Sequence, residues 1–213
     1  FVGKRARDPA GRLLAEELRR RGVELAGPEE EAGTGTVVSL AGADGSRTML
    51  TDRGVSMGLH PDELEASWLA GCERLHLPAY SLVASPIREA ALAAARLAPR
   101  VSVDLSSTAA LEAAGVDAFR ALLSELEPDV VFANQDEAEL VGELEAETVV
   151  VKRGADGCSV RHGGNETSCP ARPADVVDTT GAGDAFAAGF LLGGPEPALD
   201  AAARCVSRMG AMP

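Results

Sequence analysis

The sequence predicts an α/β domain built on a mostly parallel central sheet with helices on both faces. Three observations carry that prediction. From Pro61 onward, helix-compatible stretches alternate with short β-branched runs, the pattern of successive strand–helix–strand units. Four polar residues, Asp104, Asn134, Lys152 and Asp178, stand at the carboxyl ends of expected strands, where open α/β sheets bind their ligands. A chain of 213 residues with 46% hydrophobic content is also ample for one buried core.

Taken in order, Phe1-Val2-Gly3 reads as the end of a strand. Asp8-Pro9 opens a helix, with Asp8 as N-cap and Pro9 in the first turn. Leu14 and Leu18 share the apolar face of that helix and Gly22 ends it. Val23-Glu24-Leu25 reads as extended, and the run Glu29-Glu30-Glu31 as a solvated loop. Residues 35–53 change character: two short strands flank a tight turn at Ala43-Asp44-Gly45. A hairpin inserted into an α/β chain projects from the main sheet. Residues 61–70 then read as a helix with a solvated acidic face, 74–77 as a strand, and 87–97 as an alanine-rich helix. Val101-Ser102-Val103-Asp104-Leu105 is a buried strand, 118–126 a helix, and Asp129-Val130-Val131-Phe132-Ala133 a strand that runs into a helix opened by Asn134. The crossover from there to Val149-Val150-Val151 is close to the minimum length for such a unit. A hairpin from Cys158 to Cys169 follows.

Net charge is −13, which argues against nucleic-acid or anionic-membrane partners. A local nest of backbone N–H groups can still hold a phosphate in such a chain. No apolar run reaches membrane-spanning length and no signal peptide is visible. Cys72, Cys158, Cys169 and Cys205 match no zinc or redox spacing, so reduced thiols in a cytoplasmic protein are expected. His60, His76 and His162 are scattered and read as surface or packing residues.

The stretch that carries chemistry is Asp178-Thr179-Thr180-Gly181-Ala182-Gly183-Asp184, which leads into a strongly helix-compatible segment. Glycines at a helix N-terminus leave backbone N–H groups without intrahelical partners, and the helix dipole adds positive potential there. An anion is favoured, and small side chains let a phosphate approach. Asp184, an acid expected to be buried in that nest, is suited to take a proton from a hydroxyl that attacks a bound phosphoryl group. No Lys-Ser or Lys-Thr follows the glycines, so the motif is not a P-loop. A dinucleotide fingerprint fits poorly, because Phe186 stands where its third glycine belongs. Asn134-Gln135-Asp136-Glu137 has two readings: a capped helix start, or an amide and a carboxylate that orient a hydrated Mg²⁺. Lys152 likewise reads either as a solvated strand-end lysine or as a point charge on a phosphate.

From Asp178 through Phe190 the chain resembles the C-terminal signature of the ribokinase-like carbohydrate kinases, the phosphofructokinase-B family. The resemblance extends over essentially the whole chain. It implies a three-layer α/β/α ribokinase-like fold, a single kinase domain over 1–213, and a small β lid over the sugar that includes 35–53. It further implies ATP-dependent phosphorylation of a primary hydroxyl on a sugar, or on a nucleoside in the alternative reading; an exposed lid edge is expected to pair with a second copy in a homodimer. A catalytically silent member that only binds ligand is the remaining alternative. In the resemblance Asp184 is the general base, and Gly181, Ala182 and Gly183 form the anion cradle. Asn134 and Glu137 form the Asn-x-x-Glu motif that places Mg²⁺. Lys152, Gly154 and Gly157 lie along the strand end and Gly-x-x-Gly turn near the nucleotide phosphates. Asp178 and Thr180 match positions that help bind a monovalent cation, K⁺. Where several family members have Asp-x-Asn-x-Arg, this chain has Asp104-Leu105-Ser106-Ser107-Thr108. The family's opening strand, sugar-contacting Asp and Gly-Gly-x-x-Asn segment have no counterpart after Phe1, so the segment that chooses the substrate is expected to be missing from this sequence.

Overall fold

The computed structural model describes residues 1–41 and 47–211, so the expected turn at Ala43-Asp44-Gly45 lies outside the described residues. The chain divides into two compact units, one of Phe1–Glu73 with Ala84–Ala98, the other of Arg74–Val83 with Pro99–Pro213.

In the first unit, Arg5–Ala6 (β1) pairs in parallel with Glu29–Glu30 (β2). Two of the three glutamates assigned to a loop therefore form a strand, joined to β1 by the Arg5–Glu29 ion pair at 3.1 Å. Val23-Glu24-Leu25 forms no strand; a single parallel bridge links Val2 to Ala26 instead. Between β1 and β2 runs Pro9–Arg20 (α1). Asp8 caps it as expected, accepting from the Gly11 N–H at 2.7 Å, and the same carboxylate accepts from the N–H and hydroxyl of Thr34. The buried face of α1 is Gly11 and Ala15, whereas Leu14 is 42% exposed. The reason is proximity: a Cβ on Gly11 would lie 2.1 Å from the Ala6 carbonyl oxygen, so only small residues fit against β1. Thr36–Ala41 (β3) and Arg47–Asp52 (β4) form a separate two-stranded antiparallel sheet with Val38 opposite Leu50. The helix expected over 61–70 is replaced by two single 3₁₀ turns, Pro61–Glu63 and Ala66–Leu69. Glu63 accepts from the His60 N–H at 2.8 Å and pairs with buried Lys4 at 2.8 Å. Leu64 and Glu65 then turn extended, which interrupts any longer helix. Ile87–Ala95 (α2) completes the unit.

The second unit holds a six-stranded sheet. Its members are Leu75–Pro78 (β5), Val101–Asp104 (β6), Val130–Asn134 (β7), Thr148–Lys152 (β8), Cys158–His162 (β9) and Asn165–Cys169 (β10). Their order is β10-β9-β8-β7-β6-β5, with β5 to β8 parallel and β9 and β10 antiparallel. The helices are Thr108–Ala114 (α3), Val116–Leu126 (α4), Gln135–Val141 (α5), Ala182–Gly193 (α6) and Pro195–Val206 (α7). The short crossover between β7 and β8 is carried by α5, only 7 residues long. Strand register sorts the side chains, because residues paired across a parallel ladder point to the same face and alternate along the strand. His76, Ser102, Asp104, Val130, Phe132, Asn134, Val150 and Lys152 share one face. The apolar members of that face pack with Phe186, Ala187, Ala198 and Leu199 of α6 and α7. Phe132 meets Phe190 edge-on at 5.4 Å. The opposite face buries Val103, Val131 and Val149, and α3 to α5 bury Leu111, Phe119, Leu123 and Val141. This is the three-layer α/β/α arrangement that the sequence predicts. Among the described residues, no helix is long and apolar enough to cross a membrane.

Candidate active site

The sheet face covered by α6 turns polar toward its carboxyl edge. Register alone explains why: Asp104 ends β6, Asn134 ends β7 and Lys152 ends β8, and Asn134 and Lys152 are direct partners. At that edge Lys152 Nζ lies 2.6 Å from Asp104 Oδ2, with side-chain exposures of 16% and 7%. Lys152 is therefore neither solvated nor free; it is half of a shielded ion pair. Asp104 is also fixed from its other oxygen, which accepts from the Ser106 N–H at 2.9 Å. Ser106 adopts a left-handed conformation (φ 61°), uncommon for a residue with a side chain. Its hydroxyl donates to the Asp104 carbonyl at 2.9 Å, and the Tyr80 hydroxyl donates to the Ser106 carbonyl.

The first turn of α6 faces the same place. Gly181 is the N-cap, with φ 79°, and offers no side-chain cap. A Cβ there would lie 2.7 Å from the Ala211 carbonyl oxygen, so packing and backbone conformation both require glycine. The Ala182 N–H closes a turn onto the Thr179 carbonyl at 3.2 Å, and the Ala185 N–H bonds the Gly181 carbonyl. Among the described residues, no backbone acceptor engages the N–H groups of Gly183 or Asp184. The anion nest thus narrows to these two donors plus the helix dipole. A Cβ added to Gly183 would stand 3.3 Å from Lys152 Nζ, so the lysine ammonium lies beside that nest.

Asp184 was expected to be buried, but as a residue it is exposed. Protein atoms nevertheless crowd its carboxyl. Loss of water, and then the negative charge of Asp104, push it above the usual aspartate value, while Lys152 and His76 pull it down. Glu137 is 2% exposed and is also pushed up, first by burial. It forms a reciprocal capping box with Asn134: each side chain accepts the other's N–H at 2.8 Å. The helix-start reading of Asn134 and Glu137 is therefore realised, and Glu137 also senses the charges of Lys152 and Asp104. Asp178 is 8% exposed and accepts from the Thr180 N–H at 2.9 Å and the Gly210 N–H at 3.0 Å, which orders the approach to α6. Gly154 and Gly157 bracket a 3₁₀ turn after β8, and both have positive φ. A Cβ on Gly157 would lie 2.0 Å from the Cys169 carbonyl oxygen, whereas one on Gly154 would meet open space. Among the described residues, no group of three or more His, Cys, Asp or Glu side chains could cage a metal ion.

The structure adds to what the sequence says of two residues, Asp104 at the ligand-binding edge and His76. Asp104 had no assigned role, and its partner lies 48 positions away in the chain. His76 was assigned to surface or packing. It bonds Ser102 at 2.9 Å through Nδ1 and meets Phe132 edge-on at 6.0 Å. Burial lowers its pKa, while the charges of Asp104 and Asp184 raise it. Its register position opposite Ser102 is set by strand pairing, so the sequence carries no signal for it.

Residues 1–212 match the family model described as pfkB family carbohydrate kinase. The ATP-dependent ribose-1-phosphate kinase of Halopiger xanaduensis is 33% identical over 96% of this chain and 72% of its own length. The crystal structure of adenosine kinase from Sinorhizobium meliloti superposes with a TM-score of 0.90 at 26% identity, covering 99% of this chain and 73% of that one. Aminoimidazole riboside kinase from Salmonella enterica, complexed with aminoimidazole riboside and an ATP analogue, gives a TM-score of 0.81 at 25% identity, covering 100% and 80%.

Proposed function

The chain belongs to the pfkB family of carbohydrate kinases, and from that premise we propose that it transfers the γ-phosphoryl group of ATP to a primary hydroxyl of a sugar. The observation that carries the reading is the convergence at the first turn of α6. Among the described residues no backbone acceptor takes the Gly183 and Asp184 N–H groups, the Lys152 ammonium lies beside Gly183, and the Asp184 carboxylate on the same turn feels the lysine's charge. The acceptor oxygen forms a bond to the γ-phosphorus as the bond to the β-phosphate bridging oxygen breaks, and ADP leaves. Asp184 takes the hydroxyl proton. The Gly183 and Asp184 N–H groups, with Lys152, stabilise charge on the phosphoryl oxygens.

Mg²⁺, when bound with the nucleotide, would neutralise phosphate charge. Mg²⁺ is a hard ion that keeps several waters, and Glu137 and Asn134 would orient its hydrated shell beside the phosphates. The capping box suits this role because it holds both side chains rigidly at the end of β7. A monovalent cation such as K⁺ would share the Asp178–Thr180 turn with the N–H groups that Asp178 now accepts. Stimulation of turnover by K⁺ over Na⁺ tests that assignment. Four free cysteines suit a reducing compartment, consistent with the cytoplasm.

We assign β3 and β4 to a lid over the acceptor, with a homodimer formed across the same hairpin. Val37, Val38, Leu40, Met49 and Leu50 are each about half exposed there, more apolar surface than a lone two-stranded sheet sustains in water. The acceptor reading favoured here is a ribosyl-type sugar or sugar phosphate, since the three relatives named above carry ribose-1-phosphate, adenosine or aminoimidazole riboside in their names. A nucleoside acceptor is the second reading, favoured by the similarity to adenosine kinase.

The test is a panel of ribose-1-phosphate, free sugars and nucleosides assayed with ATP and Mg²⁺ on the full-length protein. Asp184→Asn serves as control and should lower kcat by about 10²–10⁴-fold with ATP affinity nearly unchanged. Turnover of nucleosides alone would select the second reading. ATP binding without turnover of any acceptor would mark a silent ligand-binding member, and full activity in Asp184→Asn would remove the base.

A further inference from the structure

We propose that Asp104 is a positioning residue for phosphoryl transfer: it holds the Lys152 ammonium against the first turn of α6, where the transferring phosphoryl group meets it. The inference rests on the kinase reading given above. A lysine is a compact charge on a flexible stem and does not by itself keep an address. Here its position is fixed from two directions. Asp104 Oδ2 engages Nζ at 2.6 Å, and the other carboxylate oxygen is pinned by the Ser106 N–H at 2.9 Å. Ser106 is in turn held left-handed, with bonds to Asp104 and Tyr80. The pair is poorly exposed, so solvent and salt screen it weakly.

The direction in which the lysine is held matters as much as the grip. Its ammonium lies beside Gly183, where the positive end of α6 gathers with two N–H groups that no backbone acceptor engages among the described residues. Two positive features facing each other are unfavourable without an anion between or beside them. In the free protein the Asp104 carboxylate supplies that negative charge. A bound phosphoryl oxygen would take two of the three N–H donors of Lys152 while the third stays on Asp104. Asp104 thereby acts through Lys152 and touches no reacting atom.

The experiment is a double-mutant cycle in the full-length kinase, read as ATP dissociation constant and kcat with the preferred acceptor. Lys152→Met should weaken ATP binding by about 10- to 100-fold, the value of a charge-assisted hydrogen bond. Asp104→Asn should leave ATP binding unchanged or tighter, because it removes a negative charge near the phosphates. It should nevertheless lower kcat by about 10- to 100-fold, because the lysine is no longer aimed. In the Lys152→Met background, Asp104→Asn should cost no further kcat. Asp104→Glu keeps the charge and guards against loss of fold; it should retain the wild-type melting temperature and recover part of kcat. Equal kcat losses in both backgrounds would overturn the proposal, as would an Asp104→Asn protein that binds ATP more weakly than Lys152→Met. A wild-type chain that phosphorylates no acceptor would overturn both this inference and the kinase reading. Additive losses in an active enzyme overturn only the role of Asp104.

Discussion

At the scale of single residues, the environment of Asp184 makes a statement about pH. A general base works ionised, so kcat should rise with pH through the Asp184 pKa and level off above it. That acid limb should lie above the ordinary aspartate value, since partial loss of water around the carboxyl and the charge of Asp104 both raise it. The charges that act on Asp184 are those of Asp104, Lys152 and His76. Asp104→Asn should move the limb to lower pH and Lys152→Met to higher pH, measured as kcat against pH under saturating ATP. A limb that stays fixed in both variants would detach Asp184 from these neighbours. The same shift bears on stability. An acid whose folded pKa is raised above its unfolded value destabilises the fold once pH passes the unfolded value, and the loss is complete above the folded pKa. Asp184→Asn should therefore melt no lower than wild type near neutral pH, however inactive it is. Gly183 gives a complementary case. It lacks a positive φ, and among the described residues an added Cβ would approach the Lys152 ammonium at 3.3 Å. Gly183→Ala should fold normally and weaken ATP binding, which calorimetric titration beside a melting curve would separate.

At the scale of elements, the glycines after β8 divide by what surrounds them. Gly154→Ala should cost about 1–2 kcal/mol for a left-handed backbone alone. Gly157→Ala should cost about 1–3 kcal/mol more, because its Cβ collides with the Cys169 carbonyl and must displace β10. Denaturant unfolding of the two variants compares them directly, and equal losses would contradict the packing argument. Such collisions are invisible in sequence, yet the strands themselves were legible. Val101-Ser102-Val103, Val130-Val131-Phe132 and Val149-Val150-Val151 are short apolar runs bounded by polar residues, and each is a central strand. Asp8 and Asn134 announced their helices because capping is local. The helix expected over 61–70 breaks where Leu64 and Glu65 turn extended, while Glu63 pairs with Lys4, far away in the chain. The buried face of α1 is Gly11 and Ala15 because the helix lies directly against the Ala6 carbonyl of β1. Helix α7 was not foreseen, although Pro195 at its first position is an ordinary start signal. The Asp104–Lys152 pair was hidden because the register of β6, β7 and β8, not spacing along the chain, brings those strand ends together.

At the scale of the whole molecule, the proposed homodimer is a claim about the β3–β4 hairpin. Val38 and Leu50 face each other across it and are 50% and 57% exposed. Val38→Lys with Leu50→Lys should convert a dimer into a monomer by light scattering; a monomeric wild type would remove the assignment. The net charge of −13 makes uncontrolled self-association of separate molecules unfavourable at low salt, so any dimer must rest on a defined apolar seam. The helix that begins the active site also holds the second unit together. A Cβ on Gly189 would lie 2.5 Å from the Pro197 carbonyl oxygen, so α6 and α7 approach too closely for any other residue. Gly181 is constrained in the same way by Ala211. The signature motif thus answers to two selective pressures at once. A duplicated gene released from phosphoryl transfer would keep Gly181 and Gly189 for as long as its product had to fold. Gly183 and Asp184 would be free to drift. Descendants of that kind would still look like kinases over most of the motif, and the pattern of decay within a dozen residues would date the loss of chemistry separately from the loss of structure.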